Sequence, residues 1–374
     1  MVRVLHVVPA LDGGGIENLL LNYYTHMDRS RFTFDFIVHG KNIGVLEPIF
    51  EGMDSTVFHI PTKREGIVKN LLAMKHIIDG GNYDIVHAHQ GAIGAFPMFF
   101  AKRAGVKGRI THSHMAYMHE SHLRGLVNRV LLPCLKMYST DWFACSSDAG
   151  NSLWGAEAVQ SGKVHIMNNA IDVDKFTFNA EVRNKVRKEL HIEGKFVIGC
   201  VGRLSFQKNH EFLISIFRDI YEKDKDARLC LVGRGELEHD IRGQVQKLGL
   251  NNAVLFLGVR NDVPQLLQAM DVFVLPSRYE GLGIAYIEAQ AAGLVCFGSD
   301  SVVPREAAVT DLMHYISLEE SPEHWASEVM KLKNGSARRN TKDEISSKGY
   351  EIRVEAKKLE QYYEECAHER PISR

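Results

Sequence analysis

The residues with the clearest chemical potential lie in PSRYEGLGIAYIEAQAAG, where Glu280 and Glu288 stand eight positions apart with Gly281 and Gly283 between them. A helix starting near Ile284 turns unpaired amides and its positive dipole end toward those glycines, an arrangement that receives phosphate. Glu288 lies further along that helix, where a carboxylate can accept from both hydroxyls of a ribose. Glu280, ahead of the helix, suits sugar hydroxyls. The apolar AYI and small AQAAG flanks mark a packed helix, in which an unpartnered carboxylate is costly. Upstream, VGRLSFQKNH sets Arg203 and Lys208 directly after the apolar run FVIGCV. Two cations at a strand end hold a diphosphate and neutralise charge developing on it, or else sit as ordinary surface charges.

Two further sets of residues lie near the N-terminal side. DGGGIENLL, Asp12 to Leu20, places Gly13, Gly14 and Gly15 between an apolar run and a helical pattern. This is either a phosphate turn or a plain strand-to-helix turn. It is not the dinucleotide fingerprint, because Asn18 occupies the third glycine's place and FTFDFIVH ends without an acid. RITHSHMAY offers His112 and His114, and YDIVHAHQG offers His87 and His89, whose expected role is structural pairing. Alternating residues on a strand share a face, so both His112 and His114 can reach a ligand. Metal chemistry is not expected. The DxD pairs at Asp172 to Asp174 and Asp224 to Asp226 follow no buried strand, and no HExxH spacing is present.

The elements that must position these groups are short β-branched runs, each followed by a helix-period segment. VRVLHVV, FTFDFIVH, TVFHI, YDIVHAH, RITHSH, DWFACS and KVHIM form one series; KFVIGCVG, ARLCLVG, AVLFLG, DVFVLPS and LVCFGS form a second. Apolar runs without strict alternation are those of parallel strands buried on both faces, and strands alternating with helices are βαβ units. Two series predict two doubly wound α/β domains, 1–170 and 171–349, with the boundary at NNAIDVDKF. The tail from Ile345 carries Ile352, Ala356, Leu359, Tyr363 and Cys366 at helical spacing, a stripe that must pack on one of the domains. Ligands of such sheets bind beyond the carboxyl ends of the strands, where all the residues above lie.

The 374 residues carry a net charge of −1 and 24% charged side chains, which excludes bulk nucleic-acid binding. No apolar run is long enough to span a bilayer, and no leader pattern opens the chain. Six dispersed cysteines without a CxxC pair are expected to be reduced thiols of a cytoplasmic protein. Seven basic residues against the single acid Glu120 between Ala101 and Lys136 raise a further expectation. The amphipathic stretch Met115 to Tyr138 is either a solvated surface or a contact for anionic lipid and a lipid-diphosphate acceptor.

EGLGIAYIEAQAAG, GRLSFQKNH, LVGRGELE, VLFLG and GGGIE, in this order over nearly the whole chain, resemble the GT-B glycosyltransferases of the large retaining family 4, most of all the EpsF-like bacterial exopolysaccharide and capsule enzymes. The resemblance implies a GT-B fold: two facing Rossmann-like domains, the first (1–170) binding acceptor and the second (171–349) binding donor, with a C-terminal helix (350–374) crossing back. It implies that Arg203 and Lys208 bind the donor diphosphate and that Glu288 binds ribose. Glu280 with the amides of Gly281, Leu282, Gly283 and Ile284 would hold sugar and phosphates, Gly15 would lie near the distal phosphate, and Arg260 near the base. His114, with His112 as the alternative, would face the donor sugar; Met115 stands where the family commonly has Asp. Ala170 replaces the glycine of the family's NGID hinge. The donor is expected to be a UDP-sugar, the acceptor a glycan or lipid-linked glycan, and no cofactor or metal is required. The alternatives are a nucleotide-sugar sensor or scaffold of a polysaccharide complex, and a GT-B epimerase.

Overall fold

The computed structural model describes residues 1–114, 122–333, 335 and 338–369. Met115 and the first part of the Met115–Tyr138 stretch fall outside them. The chain divides into unit 1, Met1–Ile171 with Glu351–Arg374, and unit 2, Asp172–Tyr350.

Unit 1 is a seven-stranded sheet of β1 (Val2–Val7), β2 (Phe32–His39), β3 (Val57–Ile60), β4 (Ile85–Ala88), β5 (Gly108–Ser113), β6 (Asp141–Ala144) and β7 (Val164–Ile166). Every pairing is parallel and the order is β3-β2-β1-β4-β5-β6-β7. The order reverses between β1 and β4, which makes their carboxyl ends the switch point where a ligand crevice forms. Pleating sends alternate residues to opposite faces. Val2, Val4, Phe34 and Phe36 join Leu20, Tyr23 and Tyr24 of the Gly15–His26 helix in one core. Leu5, Val7 and Ile37 join Met74, Met98 and Leu135 in the other.

The tail helix, Ile352–Glu364, closes the first of these cores with Ile352, Ala356, Leu359 and Tyr363, and Cys366 follows just beyond it. Its stripe therefore packs on unit 1. The helix begins at Ile352, inside the 350–374 segment expected to be helical. Gly349, at φ +80°, ends a separate short helix, Lys342–Ser347, and Ile345 is buried with that helix in unit 2. The chain leaves unit 1 and returns to it side by side: the Ile352 amide donates to the Ile171 carbonyl at 3.0 Å.

Unit 2 is a six-stranded parallel sheet of β8 (Val197–Val201), β9 (Arg228–Val232), β10 (Val254–Gly258), β11 (Val272–Leu275), β12 (Val295–Ser299) and β13 (Met313–Ile316). The order is β10-β9-β8-β11-β12-β13, so its switch point lies between β8 and β11. The sequence pattern yields the first five of these strands and misses β13. MHYI is an edge strand with His314 exposed, so it lacks the continuous apolar run that marks a buried parallel strand. The six cysteines are free, and all but Cys134 are buried.

Candidate functional site

The loops after β8 and β11 meet at the switch point of unit 2. Gly233, after β9, approaches the first loop so closely that a Cβ would lie 2.2 Å from the Gly202 carbonyl oxygen. Only glycine permits that approach, and it sets where Arg203 leaves the sheet. The Arg203 side chain is 73% exposed and meets Glu236 at 3.1 Å, an outward pair that holds it weakly. A short 3-10 turn, Phe206–Lys208, then ends at Asn209 in the left-handed region, where the His210–Lys223 helix begins. Arg278 ties the two loops together. Its amide donates to the Gln207 carbonyl at 2.7 Å, and its guanidinium donates to Asn209 Oδ1 at 2.9 Å.

Lys208 turns inward. Its Nζ donates to Glu280 Oε1 at 2.6 Å, with side chains 17% and 4% exposed. The Ser277 hydroxyl donates to the same oxygen at 2.6 Å, and the Ser299 hydroxyl donates to the Ser277 carbonyl at 2.7 Å. Beneath the lysine lies His210, with Nε2 3.7 Å from Cys200 Sγ. Burial first, then the Lys208 charge, draws the His210 pKa down to about 4, so the imidazole is neutral near neutral pH. Ser277 and His210 are functional neighbours that the sequence reading passed over. Both lie inside the quoted blocks, but a serine three residues before Glu280 and a histidine after KN carry no spacing signal of their own.

The Ile284–Ala291 helix starts from Gly283, at φ +79° with no side-chain cap. A Cβ there would stand 2.7 Å from the ring of Tyr286, whose hydroxyl donates to the Leu275 carbonyl at the end of β11. Five successive amides, Gly281 to Ala285, find no acceptor among the described residues. Together with the dipole they form a positive cradle beside the Lys208–Glu280 pair. The side chain of Glu288, one turn on, has no hydrogen bond or ion pair among the described residues. Burial pushes its pKa up to about 7. Its oxygens are free to accept from a ligand. Arg260 lies apart from this group, after the edge strand β10, in a two-bonded pair with Asp262 at 2.6 and 2.7 Å. The structure thus brings Lys208, Glu280 and the helix head together, with Arg203 on the adjoining loop.

In unit 1, Gly15 opens the Gly15–His26 helix. Asn18 stands in the third glycine's place and fastens the loop through its side-chain amide, which donates to the Gly13 and Gly14 carbonyls at 2.7 and 3.1 Å. Glu17 curls back over the first turn. Burial raises its carboxyl pKa, and hydrogen bonds from its own amide and that of Gly14 oppose the rise. The positive end of this helix therefore already faces an acid of the chain, while the space beside the Gly15 Cα is open. His114 follows β5 and borders a recess of about 620 Å³ that Lys63, Arg64, His39 and Gln90 also line. His112 is fully buried behind it, with ring centroids 3.9 Å apart.

Both DxD pairs are engaged by lysines: Asp172 with Lys175, Asp174 with Lys342, Asp224 with Lys333 and Asp226 with Lys195. In the basic stretch, Lys107 donates to the Ala367 carbonyl and Arg109 is buried against the Val106 and Tyr138 carbonyls, so part of that charge serves unit 1 internally. Among the described residues no helix is long and apolar enough to cross a membrane.

The chain was compared with known proteins. Residues 13–175 match the model of Glycosyltransferase Family 4, and residues 182–351 match that of Glycosyl transferases group 1. The chain is 32% identical over 337 residues to EpsF of Bacillus subtilis (strain 168), which bears a glycosyltransferase's name, covering 87% of this chain and 86% of that one. It is 30% identical over 315 residues to the UDP-Gal:alpha-D-GlcNAc-diphosphoundecaprenol alpha-1,3-galactosyltransferase of Escherichia coli, covering 80% and 79%. Anabaena HepE, solved in complex with UDP, shares the fold with a TM-score of 0.73 at 18% identity, over 97% and 95% of the two chains. Its two-domain architecture is the GT-B fold expected from the resemblance. By its near full-length kinship and by both halves of its sequence, the chain belongs to glycosyltransferase family 4 and is a sugar-transferring enzyme.

Proposed function

We propose that the chain is a retaining glycosyltransferase moving a sugar from a UDP-sugar to a glycan or lipid-diphosphate-linked glycan in extracellular or capsular polysaccharide synthesis, on the cytoplasmic side of the membrane. The observation that carries this reading is the run of five unpartnered amides, Gly281 to Ala285, beside Lys208 at the switch point of unit 2. In this reading 171–349 binds the donor, and 1–170 with 350–374 binds the acceptor. The printed name of the Escherichia coli relative, with its UDP-Gal donor and diphosphoundecaprenol-linked acceptor, supports both substrate classes.

The chemistry follows from charge. As the anomeric C–O bond to the diphosphate breaks, negative charge grows on the leaving oxygen and positive charge on the sugar. Lys208 and the helix amides, already in place, receive the first, joined by Arg203 once it leaves its exposed pair with Glu236, in place of a metal ion. Glu280 holds Lys208 in position and offers its second oxygen to a sugar hydroxyl. Glu288 accepts from ribose, Arg260 attends the base, and His114 in unit 1 contacts sugar. The acceptor oxygen attacks on the face the diphosphate leaves, and its proton passes to the departing phosphate oxygen, which gives retention.

The test is UDP release from a panel of UDP-sugars, with and without lipid-linked glycan in vesicles of neutral or anionic composition. Acceptor-dependent release is expected, faster on anionic vesicles. Arg203→Ala is the informative variant because its ion pair is exposed. A loss of about 10–100-fold in turnover with unchanged melting is expected for a charged hydrogen-bond donor. UDP-sugar binding with no acceptor-dependent release would favour the sensor reading instead.

A further inference from the structure

Five histidines converge inside unit 1 where its three central strands end. His6 lies on β1, His87 on β4 with His89 just after it, and His112 on β5 with His114 just after it. The register sets His6 beside His87. His6 Nδ1 lies 3.0 Å from His89 Nε2, and His89 Nδ1 lies 2.8 Å from His114 Nε2. The Tyr363 hydroxyl of the tail helix lies 2.8 Å from His87 Nδ1. Four buried nitrogens are left with no hydrogen-bond partner: His6 Nε2, His87 Nε2 and both nitrogens of His112. Buried polar atoms of native proteins are nearly all satisfied, and exceptions point to an ion or water that completes them. No carboxylate pairs with any of the five among the described residues.

We propose that His89, His112 and His114 form a site for a divalent transition ion of the zinc class, with its fourth position open to the recess that His114 borders. Each of the three can offer one nitrogen, and these atoms lie within 4.8 Å of one another. Tetrahedral zinc–imidazole bonds of about 2.0–2.1 Å place ligand nitrogens roughly 3.3 Å apart. The ion is admitted by widening the 2.8 Å His89–His114 contact and turning the stacked His112 and His114 rings to bring their nitrogens, within 4.8 Å of one another, to that spacing. The ion replaces the hydrogen bond at His89 Nδ1. His89 Nε2–H then donates to His6 Nδ1, the outer-shell bond that orients a metal-bound imidazole. His112 gains a partner for a nitrogen that otherwise has none. Entry is from the recess beside Lys63 and Gln90, and the open position takes water or a small anion. His6, His87 and His89 make an overlapping triad that shares His89, so one ion is held at a time. Occupancy withdraws His114 from any sugar it contacts, which makes the ion an inhibitor rather than a cofactor.

Cobalt(II) is the probe, since it reports four-coordinate binding through intense visible bands. The full chain, stripped with a chelator, is expected to take up one equivalent of Co(II) with those bands, and Zn(II) should displace it. His112→Phe keeps a flat ring in the stack and removes two unsatisfied nitrogens. It is expected to melt no lower than the parent and to lose the bands. His239→Ala, at an exposed position of unit 2, is expected to keep them. A parent chain that retains no Co(II) against an equimolar weak chelator overturns the site. Undiminished bands in a folded His112→Phe protein overturn it equally.

Discussion

At the scale of the residue, Glu288 is a carboxyl whose charge changes near neutral pH. Its pKa rises from 4.5 to about 7 on burial, so the folded chain binds more protons than the unfolded chain between those values. Stability therefore falls as pH climbs through that window and levels off above it, by at most about 3 kcal/mol for this one group. Glu288→Gln removes the titration. Without ligand, the variant is expected to melt close to the parent at pH 5 and above it at pH 8, as measured by calorimetry at both values. With UDP the order reverses: calorimetric titration at pH 8 should show the variant binding about 10–100-fold more weakly, for one charged hydrogen-bond partner. Equal UDP affinity would remove Glu288 from the nucleotide site. That Glu288 sits on a packed helix was legible in the sequence from its apolar flanks. The states of other residues were not. Nothing in KNH signals that Lys208 bends back onto Glu280, or that His210 lies neutral beneath it. His6 carries no motif at all, and only the order β1-β4-β5 brings it against His89.

The element that matters most is the Ile284–Ala291 helix and its glycine start. Gly283 at φ +79° leaves the amides ahead of the helix without acceptors, and its missing Cβ makes room for the Tyr286 ring. Gly283→Ala forces a left-handed alanine, at roughly 1–2 kcal/mol, and a clash with a ring that is buried and bonded. A drop of several degrees in melting temperature is expected, with loss of the UDP-induced shift. Gly243→Ala is the control. That position lies in the Glu238–Lys247 helix with open space around it, and gains roughly 0.5–1 kcal/mol from the better helix former. If both variants behave alike, the conformation of Gly283 is not what shapes the site. Twelve strands were legible as short β-branched runs, whereas β13 was not: MHYI is brief, leaves His314 exposed and carries one β-branched residue. The tail helix was legible too, since Ile352, Ala356, Leu359 and Tyr363 recur at helical spacing and all face one core.

At the scale of the whole molecule, unit 2 is one continuous stretch, Asp172–Tyr350, with its own six-stranded sheet, while unit 1 needs its last residues to complete a core. Burying Ile352, Leu359 and Tyr363 contributes about 1.5–3 kcal/mol each. The fragment 172–350 is expected to fold alone and to show a melting shift with UDP, as a ligand bound only by the native state must produce. A folded fragment blind to UDP would move the nucleotide site elsewhere. Because Ile171 and Glu351 pair side by side where the chain departs and returns, with the Ile352 amide donating to the Ile171 carbonyl, unit 2 is topologically an insertion between two segments that already touch. Sewing those segments together with a short glycine bridge leaves unit 1 with an intact sheet and both its cores. On the proposed division of donor to unit 2 and acceptor to unit 1, recombining the halves with those of kindred enzymes is expected to swap the two specificities independently.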